Sequence, residues 1–392
     1  MNLVCIPYHD WRKIEMEGAR TRDAHLMSHL GENPSIDRLI VLNRPITYTE
    51  MVLKRRNRRL NGEVVFSKGS GSLYKVSEKT YVVDFLSSDI VSPIFKKKLW
   101  FFDGFGSKEF INFFYECLKY LEVEDYSIFS QNIFACNFVE NISGALCIFD
   151  AWDNFLQFPD NKPIMNELER AYQIFGNLAQ SWTTNSQKNL TFFESYIKSK
   201  RCRLVTNGVD IDIFRANYDI PADLLEIPQP RIGFGGKISH LFDYELFNYC
   251  TDRHPDKNFV IVGQILDKSV FSKIILRKNV FYLGDKHYSK YPAYVRNFNI
   301  GIIPYVTNHL ESGANTIKVY EYLASNLKAV GTGSAGMKNL REYMYVAEGQ
   351  EQFSDFIETA LHDDTVIDLP HEHSWASKAD QIIDMFLNRV AN

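Results

Sequence analysis

Nowhere in the 392 residues is there an uninterrupted apolar run of the roughly 18 residues that a membrane-spanning helix needs. The chain also lacks any C-x-x-C pair and any cysteine–histidine spacing of a zinc site. Its six cysteines, Cys5, Cys117, Cys136, Cys147, Cys202 and Cys250, are scattered and sit mostly in apolar segments. Neither a disulfide scaffold nor a structural zinc is expected, and the six thiols read as small core residues in a reducing compartment. No basic segment precedes a long apolar run at the start, where the first residues, MNLVCIPYHDW, read as a buried strand and not as a signal peptide. Internal repeats and low-complexity tracts are missing too. A cytoplasmic, fully folded protein is the expectation.

What the sequence does have is apolar surface to bury: 45% of its residues are hydrophobic and 14% aromatic, against 23% charged. Single cores stop growing at roughly 250–300 residues, so a chain of this length is expected to form two domains. The formal net charge of -4 is unevenly spread. Residues 1–110 hold 18 Lys and Arg against 13 Asp and Glu, and the remainder holds 26 against 35.

Short apolar runs ending in polar or glycine residues alternate with segments of helical period, which is an α/β pattern. In the first half the pattern predicts strands at 3–7, 39–43, 81–85, 145–149 and 203–206, with helices at 19–30, 108–121, 165–178 and 188–197. Residues 45–80 fit least; a Gly/Ser turn at 67–72 between two β-branched runs predicts a hairpin inserted in the first domain. Prolines 221, 228 and 230 mark a linker in 216–229. After it, strands are predicted at 231–234, 259–262, 280–283, 301–304, 329–331 and 345–347, alternating with helices at 244–250, 270–276, 293–298, 316–324, 338–343 and 353–361. The domains are therefore expected at 1–222 and 229–370, with a final helix within 371–392 that could return to the first. Two doubly wound sheets in tandem would face a central cleft, and ligands of open α/β sheets sit at the carboxyl ends of the strands.

Several motifs lie at such ends. Asn207-Gly208-Val209-Asp210 makes a turn before a short helix, where Asp210 can cap and Phe214 can anchor. Asp210 and Asp212 also have a metal-binding spacing, but capping explains the first and no further oxygen ligands cluster nearby, so no metal site is expected. Gly235-Gly236-Lys237 ends the first strand of the second domain, where backbone N–H groups and a lysine can approach phosphate. Asn315 and Thr316 lead into a helix on which Lys318 and Glu321, three apart, share a face near the N-terminus. An ordinary surface ion pair is the plain alternative. Gly331-Thr332-Gly333-Ser334-Ala335-Gly336 spells a dinucleotide fingerprint, but only 56 residues follow it, too few to build the rest of an NAD domain. A loop near a donor sugar or its phosphates suits Gly333 better. In the first half, Asp150 and Asp153 follow a strand end, where one carboxylate could take a proton or merely cap a helix. His9 and Asp10 follow the first strand.

The string N-G-V-D-x-x-x-F before the linker, with Ile232–Ile238 (IGFGGKI), NVFYLG at 279–284, NIGIIP at 299–304 and IKVYEYLAS at 317–325, resembles GT-B glycosyltransferases of family four. The similarity is greatest to bacterial teichuronic acid and xanthan glucuronosyltransferase-type enzymes of surface polysaccharide synthesis, and it covers most of 140–385. It implies a GT-B fold of two Rossmann-like domains and transfer from a nucleotide-sugar, uridine diphosphate before guanosine diphosphate, to a glycan or polyprenyl-linked acceptor. It implies no cofactor and no metal, Glu321 on the nucleotide ribose, Lys318, Lys237 and the glycine loops at the phosphates, and Asp150 or Asp153 in the active site, with His9 and Asp10 on the acceptor side. The chain departs from family four at Gly313, where a second glutamate is expected, with Glu311 two residues earlier. That gap favours an inverting reaction with an aspartate base. The runner-up functions are a nucleotide-sugar epimerase of the same fold and a non-catalytic nucleotide-sugar-binding partner.

Two basic clusters, residues 54–59 (KRRNRR) and 95–102 (FKKKLWFF), remain. Nucleic-acid binding is not expected. The second cluster interleaves aromatics with lysines as an interfacial membrane patch does, which predicts contact between 96–102 and the inner leaflet.

Overall fold

The computed structural model describes residues 1–53, 57–142, 144–198, 201–307, 315–334 and 336–390. Lys54, Arg55 and Arg56 of the first basic cluster, Glu311 and Gly313 of the departed motif, and Ala335 lie outside the described residues. The chain divides into two compact units, Met1–Val205 with Lys378–Asn392, and Thr206–Ser377. The Asn207-Gly208-Val209-Asp210 turn therefore groups with the second unit, where Asn207 N–H donates to Asn315 Oδ1 at 3.0 Å and Val209 N–H to the His373 carbonyl at 3.0 Å.

In the first unit the strands are β1 (Asn2–Ile6), β2 (Arg38–Leu42), β3 (Ile46–Thr47), β4 (Glu63–Lys68), β5 (Gly71–Lys75), β6 (Thr80–Ser87), β7 (Ser127–Ser130), β8 (Cys147–Asp150), β9 (Ser181–Thr184) and β10 (Cys202–Leu204). Among the described residues they form one sheet in the order β10-β9-β8-β7-β1-β2-β6-β5-β4, with β3 paired to β6. The run from β10 to β6 is parallel, and Leu3, Val4, Cys5 and Ile6 of the central β1 are wholly buried, as a strand covered on both faces must be. The expected hairpin is present as β4 and β5, but it is not a separate insert. It pairs antiparallel to β6 and carries the sheet outward to an edge. Gly71 is required there, because a Cβ would lie 2.5 Å from the Phe113 ring. Helix Lys108–Tyr120 covers this end, capped by Ser107 Oγ accepting from Phe110 N–H. It buries Phe110, Phe113, Phe114, Cys117 and Leu118, the i, i+3, i+4, i+7, i+8 stripe of an amphipathic helix.

In the second unit β11 (Arg231–Gly235), β12 (Asn258–Val262), β13 (Val280–Tyr282), β14 (Ile300–Ile303), β15 (Lys328–Thr332) and β16 (Tyr345–Ala347) form a parallel sheet ordered β13-β12-β11-β14-β15-β16. Alternate residues of β12 divide between two cores. Val260 and Val262 join the one that holds Tyr322 and Leu323, and Phe259 and Ile261 join the one that holds Phe353 and Ile357. All six cysteines are free and buried, and burial pushes the thiols of Cys136, Cys147, Cys202 and Cys250 up to about 12. No described helix is long and apolar enough to cross a membrane.

Candidate active site

Strand order in the second unit reverses between β11 and β14, and a ligand crevice opens at the carboxyl ends of such neighbours. Gly235-Gly236-Lys237 leaves β11 at this point. Their glycines do something other than offer amides to phosphate, because Gly235 N–H donates to Tyr322 Oη at 2.7 Å and Gly236 N–H to the Val262 carbonyl at 2.9 Å. What they supply is room. Gly236 has φ +154°, and a Cβ there would lie 2.5 Å from Lys318 Cε; a Cβ on Gly263, at the end of β12, would lie 1.8 Å from the Gly236 carbonyl oxygen. The space admits Lys318 from helix Ile317–Ala324. Its ammonium donates to Tyr305 Oη and stands 4.8 Å from the Tyr305 ring centroid and 5.6 Å from that of Phe234. Lys237 follows, half-buried.

Glu321, one turn along the same helix, is only 4% exposed, which removes the surface ion-pair alternative. Tyr288 Oη donates to its Oε1 at 2.8 Å. Burial pushes its carboxyl up to about 7; the Tyr288 hydrogen bond and the Lys318 charge pull the other way, and Asp210 adds to the rise. Asp210 thus acts on this cluster electrostatically. It stands at the N-cap position of helix Ile211–Arg215 but makes no side-chain capping hydrogen bond, contrary to expectation. Asn315 is committed to the chain itself: its Oδ1 and carbonyl accept from Asn207, and its Nδ2 donates to Tyr320 Oη at 3.1 Å. Thr316, the N-cap residue, makes no side-chain cap, so it does not occupy the first-turn amides of the helix. Gly333 lies under Lys338, whose Cε a Cβ would meet at 2.6 Å, and Lys338 and Arg341 both reach Glu348. Gly263 and Tyr305 had no sequence signal of their own beyond following strands β12 and β14, and Tyr288, in the turn Tyr288–Lys290, had none.

At the carboxyl ends of the first sheet, Asp150 ends β8. Arg22 clasps it with two hydrogen bonds, Nε to Oδ2 at 2.9 Å and Nη2 to Oδ1 at 3.1 Å, while Gln131 Nε2 and Thr183 Oγ1 donate at 2.9 and 2.8 Å. Arg22 and Asp150 are both buried. With each oxygen held twice, Asp150 is not placed to take a substrate proton, which corrects its reading as a base. Asp10 is also buried, capping helix Trp11–Glu17 through Arg12 N–H at 3.0 Å, with Arg44 Nη2 at 3.6 Å. Its carboxylate is thus engaged by the chain itself.

His9 and Asp153 are different. His9 Nδ1 lies 3.0 Å from each oxygen of the buried Asp23, which also accepts the His9 backbone N–H at 2.8 Å and the Thr21 hydroxyl. Strand order in this sheet reverses at β1, and His9 follows β1. The Tyr8 ring packs 5.3 Å from His9, 5.5 Å from Trp152 and 5.2 Å from Phe155. Burial first, then the charges of Asp153 and Asp23, push the Tyr8 phenol up to about 12, against the pull of Arg44. Tyr8, His9, Trp152, Asp153 and Arg44 are therefore neighbours at one end of one sheet. Among the described residues no group of three or more His, Cys, Asp or Glu is placed to hold a metal ion.

No family model matches the chain. Solved structures similar over its whole length are α,α-trehalose-6-phosphate synthase from Burkholderia multivorans (TM-score 0.67, 11% identity, 100% of this chain and 99% of that one) and sucrose-phosphate synthase from Thermosynechococcus elongatus (0.68, 10%, 100% of both). An E. coli trehalose-6-phosphate structure bound with UDP-2-fluoro glucose is also similar (0.63, 11%, 99% and 96%). The fold is GT-B. In sequence, 165 residues are 27% identical to a Bacillus subtilis (strain 168) protein provisionally named teichuronic acid biosynthesis glycosyltransferase TuaH. The matched segment spans 40% of this chain and 41% of that relative.

Proposed function

We propose that this protein is a glycosyltransferase that moves a sugar from a uridine diphosphate donor to a glycan or lipid-linked acceptor in surface polysaccharide assembly. The observation that carries the reading is the Lys318–Glu321 pair beside the Gly236 turn at the β11/β14 switch point, one cation and one buried carboxylate on a single helix start. Lys318 and the helix N-terminus suit a diphosphate, and Glu321 suits a pair of ribose hydroxyls. Two names support the donor and acceptor classes: the E. coli neighbour bound with UDP-2-fluoro glucose and the teichuronic acid relative.

In the proposed reaction the departing diphosphate is stabilised by Lys318 and the helix dipole, with Lys237 close by in sequence, so that turnover continues in the presence of a chelator. Asp153 takes the proton of the acceptor hydroxyl in an inverting displacement. His9, its Nδ1 side fixed by Asp23, presents Nε2 to an acceptor hydroxyl and orients it. The test is isothermal calorimetry with UDP and UDP-sugars. Wild type binds, and Lys318→Ala weakens binding about tenfold or more, the loss of one charge-assisted contact of about 1.4 kcal/mol. Unchanged affinity in that variant removes the donor site from this helix.

A further inference from the structure

The membrane contact expected at 96–102 does not hold in that form. Trp100 and Phe102 are 3% and 2% exposed, and Trp100 Nε1 donates inward to Asp89 Oδ2 at 3.0 Å. The exposed apolar side chains lie just before the lysines and in a second segment. Val52 and Leu53 are 76% and 82% exposed, Ile94 and Phe95 are 62% and 80%, and Ile90 and Val91 are more than half exposed.

These residues share one end of the sheet. β3 and β6 are parallel, with Thr47 paired to Ser87. Helix Tyr48–Leu53 starts directly after Thr47, and the segment leading to helix Ser92–Lys96 starts directly after Ser87. Two short helices with bare apolar residues thus leave neighbouring strand ends together. The second is held in place and not loose: Asp89 Oδ1 accepts from the N–H groups of Val91 and Ser92, and its other oxygen holds Trp100. Lys96, Lys97 and Lys98 follow, exposed, and Arg58 and Arg59 follow the first helix, also exposed. Asp103 pairs with Lys96 at 2.7 Å and Asp89 acts on it electrostatically, while Asn161 Oδ1 and the Asp160 carbonyl accept from Lys98 at 3.0 and 3.5 Å.

We infer that Val52, Leu53, Ile90, Val91, Ile94 and Phe95 form a docking surface for an anionic lipid bilayer, with Lys96, Lys97 and Lys98 at its rim. This extends the proposed function to the place where a lipid-linked acceptor is met, and so rests on that reading. Large bare apolar side chains beside cations suit the boundary between acyl chains and anionic headgroups, because the former leave water while the latter stay in it. A second copy of the chain suits the surface poorly, since a two-fold contact would set like-charged lysine runs against each other.

The test is co-sedimentation of the full chain with vesicles of phosphatidylcholine alone or with about one-third phosphatidylglycerol. The wild type pellets with the anionic vesicles, far less with neutral ones, and less at high salt. The double variant Leu53→Asn, Phe95→Asn and the triple variant Lys96→Glu, Lys97→Glu, Lys98→Glu each lose about tenfold or more in partitioning, the aromatic and aliphatic anchors in one case and the headgroup attraction in the other. Trp100→Phe stays bound. Calorimetry with UDP on the same variants separates the two readings: unaltered nucleotide affinity with lost vesicle binding supports the surface, whereas a wild type that pellets with anionic vesicles but does not bind UDP overturns only the donor site. Equal pelleting of wild type and the double variant overturns the proposal. So does a concentration-dependent dimer in light scattering that the double variant abolishes.

Discussion

The two sheets treat their carboxyl ends in opposite ways. In the first unit the carboxyl side of the sheet is filled by polar pairs: Arg22 on Asp150 at the end of β8, Arg12 on Asp84 within β6, and His9, which follows β1, on Asp23. In the second unit the ends of β11 and β12 carry glycines, and the charge that enters comes from a helix, as Lys318. A carboxylate at a strand end is thus a poor guide to chemistry when a guanidinium is in reach, because two desolvated charges satisfy each other first. A glycine with a positive φ whose Cβ would also strike a lysine is a better guide, since both its backbone and the space beside it call for glycine.

The comparison is broken most severely at Asp150. Asp150→Ala removes a carboxylate that the buried Arg22 clasps with two hydrogen bonds and is expected to cost about 3–5 kcal/mol in denaturant unfolding. UDP affinity of the folded protein is expected to stay unchanged. A stable Asp150→Ala protein that has lost only turnover would return Asp150 to the active chemistry.

Glu321 gives the next effect, and its sign runs the other way. Its folded carboxyl is raised from 4.5 to about 7 by burial, so the native state holds a proton that the unfolded chain releases. That contribution is fully present below about pH 4.5 and is lost as pH rises through about 7, a loss of at most about 3 kcal/mol. Glu321→Gln keeps the neutral form at every pH. It should match the wild type in thermal melts at pH 4, exceed it above pH 7, and bind UDP more weakly. Equal melting temperatures at pH 8 would mean that the carboxylate is not penalised by its burial.

Smaller again in free energy, though decisive for the reaction, is Asp153→Asn. A hundredfold loss of turnover, about 2.7 kcal/mol, with donor binding intact is the expected result. Product anomeric configuration by NMR checks the same mechanism, and a retained anomer defeats it.

Much of this was readable in advance. The second sheet follows the predicted strands within a residue or two, because each is a short apolar run punctuated by glycine, proline or a polar cap. β7 and β9 were missed: four-residue strands such as Ser181-Trp182-Thr183-Thr184 bury hydroxyls among neighbours and show no apolar period. Lys318 and Glu321 could be paired because three residues separate them on one helix. Arg22 and Asp150 could not, being 128 residues apart. Residues 95–102 had the right composition for a lipid surface, but composition does not say which face of a turn is wet, and Trp100 turned inward on Asp89.

β4 has one further consequence. It ends the sheet, and its outer row of amides and carbonyls would be a template for any extended chain that met it. Its register with β5 breaks between Val64 and Phe66, and the strand begins at Glu63 and ends at Lys68, which reaches Glu116 at 2.9 Å. A kinked, charge-flanked border of this kind is hard to extend by one more strand. This border of the long sheet is therefore a poor template for edge-to-edge association between copies of the chain.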